Sequence, residues 1–349
     1  MKRGLAVGAT LLFVSGILTA CGEEAAVQEP APEIEAGEVT EVAAAASSTA
    51  ETKVFGPHEG VNQPVVPVKM ERVGEHEVNI EMTAQITDIE IAPDLMYRAW
   101  TFNGEAPGPL LIVNEGDMIN FKLINIDPAI PHSIDLHAVH AAPSVKFADI
   151  MPNEEGVFSY PANDPGVFMY HCGTDPVLAH IANGMHGTII VKPADGYPTD
   201  SEIDREFVMI QNEWYDYNNL EDFANGEPSQ VVFSTKALNE GDRNTNGDTF
   251  SLKDEPLTAN VGEKIRIYIN NMGPNEVSSF HVVGTVLDDI YIDGNPENHM
   301  TGMQTILLPA SGGAVVEFTV TEAGDYPIVT HQFNHASKGA VAVLRVAAE

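Results

Sequence analysis

The chain has 349 residues, of which 44% are hydrophobic, and this length suffices for two domains with separate cores. Its 51 acidic and 17 basic side chains give a formal net charge of −34 at pH 7. Because a nucleic-acid-binding surface needs Lys and Arg to neutralise phosphates, this charge argues against nucleic acid as a partner.

The N-terminus has the pattern of an export signal. Lys2 and Arg3 precede an apolar run over residues 4–20, which is short for a membrane-spanning helix and typical of a secretory signal peptide. The run ends in "LTAC", which resembles a bacterial lipoprotein signal, and in that family the cysteine, here Cys21, is lipidated. We therefore expect residues 1–20 to be a signal peptide and the protein to be exported to the periplasm or cell surface. Membrane attachment would be through a lipid at Cys21, and ordinary secretion with an incidental cysteine is the alternative.

An acidic segment follows the signal. Residues 22–51 contain eight Glu and neither Lys nor Arg. Low complexity and charge of one sign predict a disordered tether, which we assign to residues 21–60.

From about residue 65, short apolar stretches alternate with polar residues and with Gly, Pro, Asn and Asp. Examples are "MINFKLIN", "GTIIVK", "KIRIYINN", "VVEFTV" and "AVAVLRV". Enrichment in Val, Ile and aromatic residues predicts strands, and the spacing is typical of Greek-key β-sandwiches. Helical periodicity is weak, so the sequence predicts an all-β fold.

The two halves of this region resemble each other. The first half contains, in order, "EGDMINFKLIN", "IPHSIDLH", "DPGVFMYHC" and "HGTIIVKP". The second half contains the corresponding stretches in the same order: "VGEKIRIYINN", "SSFHVVG", "EAGDYPIVTHQ" and "KGAVAVLRV". A repeated order of strands indicates two tandem copies of one sandwich. We place them at residues 61–195 and 196–349, with the boundary in the turn-rich stretch 193–206.

Cys172 is the one cysteine in the body of the chain. It is either an inert buried thiol or a metal ligand. His180 follows it with seven residues between, Met185 follows with four more, and His132 lies forty residues upstream on a predicted strand. Two imidazoles, a thiolate and a weak thioether are the ligand set of a blue-copper electron-transfer site.

A second set of histidines indicates another metal. His171 adjoins Cys172 on the same strand, so its side chain should point to the opposite face. Alternation likewise separates His137 from His132. His331 has the position in the second half that His171 has in the first. Each imidazole alone could be structural, but together they favour a catalytic copper with an open coordination position.

These motifs resemble those of the copper-containing nitrite reductases, the two-domain cupredoxin enzymes of denitrification. The resemblance covers roughly residues 90–345, and its most specific pieces are "PHSIDLH", "YHCGTDPVLAHIANGM", "SSFHVVG" and "THQFNHASKGA". "FNGEAPGPLLIVNEGD" is shared with the wider multicopper oxidase group and is less specific.

The resemblance implies two coppers per chain. It implies a type-1 copper held by His132, Cys172, His180 and Met185, and a type-2 copper held by His137, His171 and His331. It makes Asp135 and His281 the acid–base pair beside the type-2 copper and places Val283, smaller than Ile or Leu, over the open coordination position. It also implies a homotrimer in which the third type-2 histidine comes from the neighbouring subunit.

The implied reaction is the one-electron reduction of nitrite to nitric oxide and water. An external donor, a small blue-copper protein or a c-type cytochrome, would reduce the type-1 copper, and the electron would pass to the type-2 copper. Two alternatives stay open. A small laccase would need several His-x-His pairs, of which the sequence has none. A two-domain cupredoxin electron carrier would have the same type-1 site and an inactive type-2 site.

Overall fold

The computed structural model describes residues 54–55, 62–92, 94–217, 219–238 and 256–348. The expected signal peptide lies outside these residues, as does most of the expected tether. Among the described residues no helix has the length and apolar character needed to cross a membrane.

The first half forms two sheets that face each other. Its strands are β1 (Val54–Phe55), β2 (Lys69–Gly74), β3 (Glu77–Ala92), β4 (Leu95–Phe102), β5 (Leu111–Asn114), β6 (Asp117–Asn125), β7 (Asp135–Leu136), β8 (Glu155–Ala162), β9 (Gly166–His171) and β10 (His186–Lys192). One sheet has the order β1-β4-β3-β6-β8, with β2 paired to β3, and the other has the order β5-β10-β9-β7. Two short helices, α1 (Pro143–Lys146) and α2 (Val177–Ala182), lie in the connections.

The second half repeats this plan. Its strands are β11 (Arg205–Trp214), β12 (Gln230–Lys236), β13 (Leu257–Asn260), β14 (Lys264–Asn271), β15 (Ser278–Val282), β16 (Leu287–Ile292), β17 (His299–Met303), β18 (Ile306–Leu308), β19 (Gly313–Thr319), β20 (Gly324–Thr330) and β21 (Val341–Ala347), with helices α3 (Leu220–Asn225) and α4 (Phe333–Ala336). The sheet orders are β12-β11-β14-β19-β16-β17 and β13-β21-β20-β15-β18.

The strand pairing reproduces the internal repeat seen in the sequence. β3 pairs with β6 in parallel, as β11 does with β14, and β5 pairs with β10 in parallel, as β13 does with β21. The expected all-β fold of two tandem sandwiches is confirmed.

Alternating hydrophobicity explains why these strands form. In β6, Ile119, Phe121 and Leu123 are buried and their neighbours are more exposed, so one face of the strand packs into the core. Each sandwich encloses its own core cluster in this way.

β9 is buried on both faces. Phe168 and Tyr170 pack into the core of the first sandwich. Val167 and Met169 point the other way, into a cluster shared with strands of the second sandwich. The members of that shared cluster include Ile190, Val208, Ile210, Tyr268 and Val315. The strand that leads to Cys172 is therefore held between two cores.

The segment "PHSIDLH" differs from its expected conformation. It was predicted to be a continuous strand, but the structure keeps only Asp135–Leu136 as β7. His132 instead forms an isolated bridge with Ile150. Pro131 has no N–H to donate and restricts the residue before it, and the Asn125 amide donates to the carbonyls of Ile130 and Ile150. The Asn125 side chain thus pairs with the Ile130 carbonyl, which a regular strand would pair with a backbone N–H of its neighbour.

Candidate metal centres

Three buried side chains converge beside the end of β9. The Sγ atom of Cys172 lies 3.2 Å from Nδ1 of His180 and 3.9 Å from Nδ1 of His132. The two Nδ1 atoms are 3.3 Å apart. The three ligand-type atoms therefore surround one point, and all three residues are buried.

The loop between β9 and β10 sets this geometry. Cys172 follows the last residue of β9, His180 lies on α2 and Met185 directly precedes β10. The Cys172 N–H donates to the carbonyl of Met185 at 3.1 Å, and the Met185 N–H donates to the carbonyl of His180 at 3.0 Å. Met185 is fully buried in the same core cluster as Cys172. The loop closes on itself and holds all three residues together.

His186 anchors this loop to the second sandwich. Its ring is fully buried, with Nδ1 3.0 Å from the carbonyl of Ile181 and Nε2 2.9 Å from the side-chain amide of Asn212 on β11. Burial lowers the pKa of His186 to about 4, although both hydrogen bonds oppose the shift. The ring is therefore neutral at pH 7.

The environment of Cys172 favours its thiolate. Burial alone raises the pKa of the thiol, but hydrogen bonds with His132 and His180 outweigh burial and hold the pKa well below its ordinary value. The backbone N–H of Ser133 also points to Sγ, at 3.4 Å. The thiolate is the form of cysteine that binds metals.

A carboxylate and an indole support the two imidazoles. Nε2 of His132 lies 3.1 Å from Oδ2 of Asp127, and neither side chain is exposed to solvent. Burial raises the pKa of Asp127, yet the hydrogen bond to His132 and two backbone N–H groups lower it further than burial raises it. The ring of Trp100 stacks on that of His180 with centroids 4.8 Å apart. Sequence reasoning missed both residues.

A second cluster lies on the other side of the same strand end. Nε2 of His137 is 3.0 Å from Nε2 of His171, and Oδ2 of Asp135 is 4.0 Å from the same His171 nitrogen. Nδ1 of His171 donates to the carbonyl of Cys172 at 2.9 Å, which leaves Nε2 as the ring nitrogen available to a metal. Burial lowers the pKa of His137, and the adjacent His171 lowers it further, so this imidazole is neutral and able to bind a metal.

The alternation of β9 places the two clusters on opposite faces. Tyr170 and Cys172 belong to the core of the first sandwich, whereas Met169 belongs to the shared cluster and His171 to the second metal-binding group. One peptide bond therefore joins a member of each cluster.

His281 and His331 lie together but apart from the second cluster. His281 is on β15, with Nδ1 2.5 Å from the carbonyl of Gln304, and its ring is 5.0 Å from that of His331. Val283, just beyond β15, is 39% exposed. Within the part of the chain that the structure describes, no hydrogen bond or ion pair joins His281 or His331 to Asp135, His137 or His171. One chain thus brings together two of the three imidazoles expected at the type-2 site, and it does not add His331.

The chemistry of the first cluster fits copper. A thiolate, two imidazoles presenting Nδ1 and a nearby thioether form the donor set of blue-copper sites, and the softness of sulfur disfavours Mg²⁺ or Ca²⁺. The second cluster offers two imidazoles and a carboxylate. Two tandem sandwiches with a Cys-His-His-Met centre in the first define a two-domain cupredoxin of the multicopper oxidase group.

Comparisons with known proteins agree with this class. The family described as multicopper oxidase matches residues 84–196, and a second model with the same description matches residues 222–349. A copper-containing nitrite reductase of Neisseria gonorrhoeae is 34% identical over 99% of this chain and 88% of that protein. The chain belongs to the family of copper-containing nitrite reductases.

Solved structures of the same family resemble the fold. A copper nitrite reductase from Nitrosomonas europaea has a TM-score of 0.70 and 36% identity, covering 78% of this chain and 94% of that one. The copper-containing nitrite reductase from Thermus scotoductus SA-01 has a TM-score of 0.70 and 35% identity, covering 77% of this chain and 61% of that one. The protein is therefore a copper-dependent oxidoreductase.

Proposed function

We propose that this protein reduces nitrite to nitric oxide and water, consuming one electron and two protons, with two coppers per chain. The names of its relatives support nitrite as the substrate. The observation that carries the proposal is the adjacency of His171 and Cys172, since each contributes to a different metal-binding cluster.

His132, Cys172, His180 and Met185 would hold the type-1 copper, and His137 and His171 would belong to the type-2 site. When bound, the type-1 copper supplies a one-electron store and the type-2 copper supplies a Lewis acid that orients nitrite. The backbone between His171 and Cys172 would give the electron a direct covalent route between the sites. The hydrogen bond from His171 Nδ1 to the Cys172 carbonyl would add a second connection between the same two residues.

The third type-2 histidine, His331, would come from a neighbouring subunit of a homotrimer. In support, His331 is exposed and lies beside His281, outside the cluster of its own chain. Bringing this surface against the second cluster of another copy would add His331 to His137 and His171. The same contact would place Val283 over the open coordination position.

Asp135 and His281 would deliver the two protons. The carboxylate of Asp135 is 4.0 Å from His171 Nε2, so it would hold a proton on the side of the cluster where nitrite would bind. Nδ1 of His281 donates to the carbonyl of Gln304, which leaves Nε2 to exchange a proton with substrate. General acids placed in this way typically accelerate a reaction 10²–10⁴-fold.

We also propose export with attachment through a lipid at Cys21, supported by the signal-like residues 1–20. The electron donor would then be a small blue-copper protein or a c-type cytochrome outside the cytoplasm.

The test is an anaerobic assay of the copper-loaded protein with nitrite and a reduced dye. We expect nitrite loss matched by nitric oxide release. Cys172→Ala is the control, because it removes the type-1 thiolate and leaves the residues of the type-2 site unchanged. A blue protein that is reduced and reoxidised but forms no nitric oxide would identify an electron carrier instead. Oxygen uptake with a phenolic donor would indicate the laccase alternative.

A further inference from the structure

Asp127 is a buried carboxylate without a conventional cationic partner. It is fully buried, and Oδ1 accepts hydrogen bonds from the N–H groups of Ala129 at 2.7 Å and Ile130 at 3.4 Å. Oδ2 lies 3.1 Å from His132 Nε2. Among the described residues no Lys or Arg forms an ion pair with it, although a buried charge is costly unless it is paired.

The Asp127 carboxylate lies one imidazole away from the first metal centre. The contact with Asp127 makes Nε2 of His132 a hydrogen-bond donor, so Nδ1 keeps its lone pair directed at Cys172 and His180. The other imidazole has a different support: His180 stacks on Trp100, and within the described ranges no carboxylate contacts it. The Asp127 carboxylate therefore acts on the first metal centre through its hydrogen bond with the His132 ring.

We propose that Asp127 is a positioning residue for the type-1 copper, which aligns His132 and favours Cu(II) over Cu(I), so that it lowers the reduction potential. This inference rests on the proposed function. Its physical basis is that a carboxylate hydrogen-bonded to the distal nitrogen of a ligating imidazole orients the ring and makes it more basic. A fixed negative charge in a buried site also stabilises the more highly charged ion of the copper pair.

Two substitutions test the role. Asp127→Asn removes the charge with little change in size. Asp127→Ser is the second variant, because a hydroxyl can accept the Ala129 N–H in the same kind of turn but does not present a carboxylate to His132. The copper-loaded full chain is titrated with redox mediators while the visible thiolate-to-copper band is followed. Copper(II) affinity is measured separately by competition with a chelator.

In both variants we expect the ratio of Cu(I) to Cu(II) at a fixed applied potential to rise by a factor of ten or more. This corresponds to a reduction potential about 59 mV higher for one electron. We also expect Cu(II) affinity to fall about 10- to 100-fold, the usual effect of losing such a partner.

Asp117→Asn is the matched control. Asp117 is also fully buried in the first sandwich, but its carboxylate pairs with Arg72 at 2.6 Å and accepts the Asn114 N–H at 2.8 Å. This substitution should lower the thermal stability of the copper-free protein and leave the potential unchanged.

The outcomes separate the two proposals. A blue wild type whose potential and copper affinity are the same in both Asp127 variants would overturn this inference and leave the proposed function standing. An equal shift of potential in Asp117→Asn would also overturn it, since the effect would not require contact with His132. A colourless copper-loaded wild type would overturn the type-1 site itself and this inference with it.

Discussion

Replacement of Asp135 by Asn should slow nitrite reduction while both coppers stay bound. The substitution keeps the size of the side chain and its capacity for hydrogen bonding but removes the proton that a carboxyl group can donate. His137 and His171 remain 3.0 Å apart at Nε2, and His171 is still oriented by its bond to the Cys172 carbonyl. The substitution therefore tests proton delivery separately from metal binding.

The expected loss in kcat is about 10²-fold, the lower end of the range for a single general acid. The lower end applies because the Asp135 side chain is 30% exposed, so water can replace part of its function. A 10²-fold loss corresponds to about 2.7 kcal/mol on the activation free energy. A purely structural counter-ion would instead change copper content, with kcat per bound copper unchanged.

The assay measures steady-state nitric oxide formation alongside copper content and the visible spectrum. Asp164→Asn is the matched control, because Asp164 also pairs with a histidine, His140, at 2.9 Å, but on the exposed surface and outside both clusters. Its kcat should equal that of the wild type. Full activity in Asp135→Asn with two coppers per chain would remove Asp135 from the mechanism and leave His281 as the one protein donor.

Four further predictions follow from the same geometry. Cys172→Ala should abolish the visible charge-transfer band and retain the type-2 copper, which metal analysis with paramagnetic resonance would detect; a persistent band would contradict the assignment. Met185→Leu should keep the colour and raise the potential, since a weak donor to Cu(II) is lost; an unchanged potential would exclude axial ligation. Protein lacking residues 1–55 should sediment as a trimer, and a stable monomer with two coppers would refute the sharing of His331. Burial depresses the pKa of the His186 ring to about 4 in the folded protein. The neutral buried ring therefore contributes fully to stability above the unfolded-state pKa near 6.5, and this contribution is lost as the pH falls towards 4. The loss is up to about 3 kcal/mol, and urea unfolding of copper-free wild type should show a steeper decline over this range than His186→Gln does.

The parts of the molecule that sequence could predict depend on short-range patterns. β6 alternates buried and more exposed residues along nine positions. The face of the strand that packs into the core can therefore be predicted without tertiary information. Cys172, His180 and Met185 lie within one loop, where spacing alone restricts how far apart the side chains can be. Strand alternation predicts that the side chains of His171 and Cys172 point to opposite faces, and in the structure they do.

The remaining features depend on contacts that spacing does not encode. His132 was expected on a regular strand, but Pro131 and the Asn125 side chain replace the ladder with a single bridge. The Asp127-Pro128 pair indicates a turn from sequence alone. It does not indicate which imidazole the Oδ2 atom of Asp127 contacts. Trp100 on β4 reaches His180 on α2 across eighty positions of sequence. Whether His331 completes a site depends on another chain, which a single sequence does not specify.

The double burial of β9 limits how this protein could be redesigned. A minimal blue protein made from the first sandwich alone would expose Val167, Met169 and Ile190, which now pack against the second sandwich. Each such side chain loses about 1.5–3 kcal/mol of burial free energy when it is exposed. Together they would form an exposed hydrophobic patch, prone to association, next to the Cys172 cluster. Excision would therefore require polar replacements on one face of β9 and β10. Those replacements would have to leave the opposite face, which ends at Cys172, unchanged.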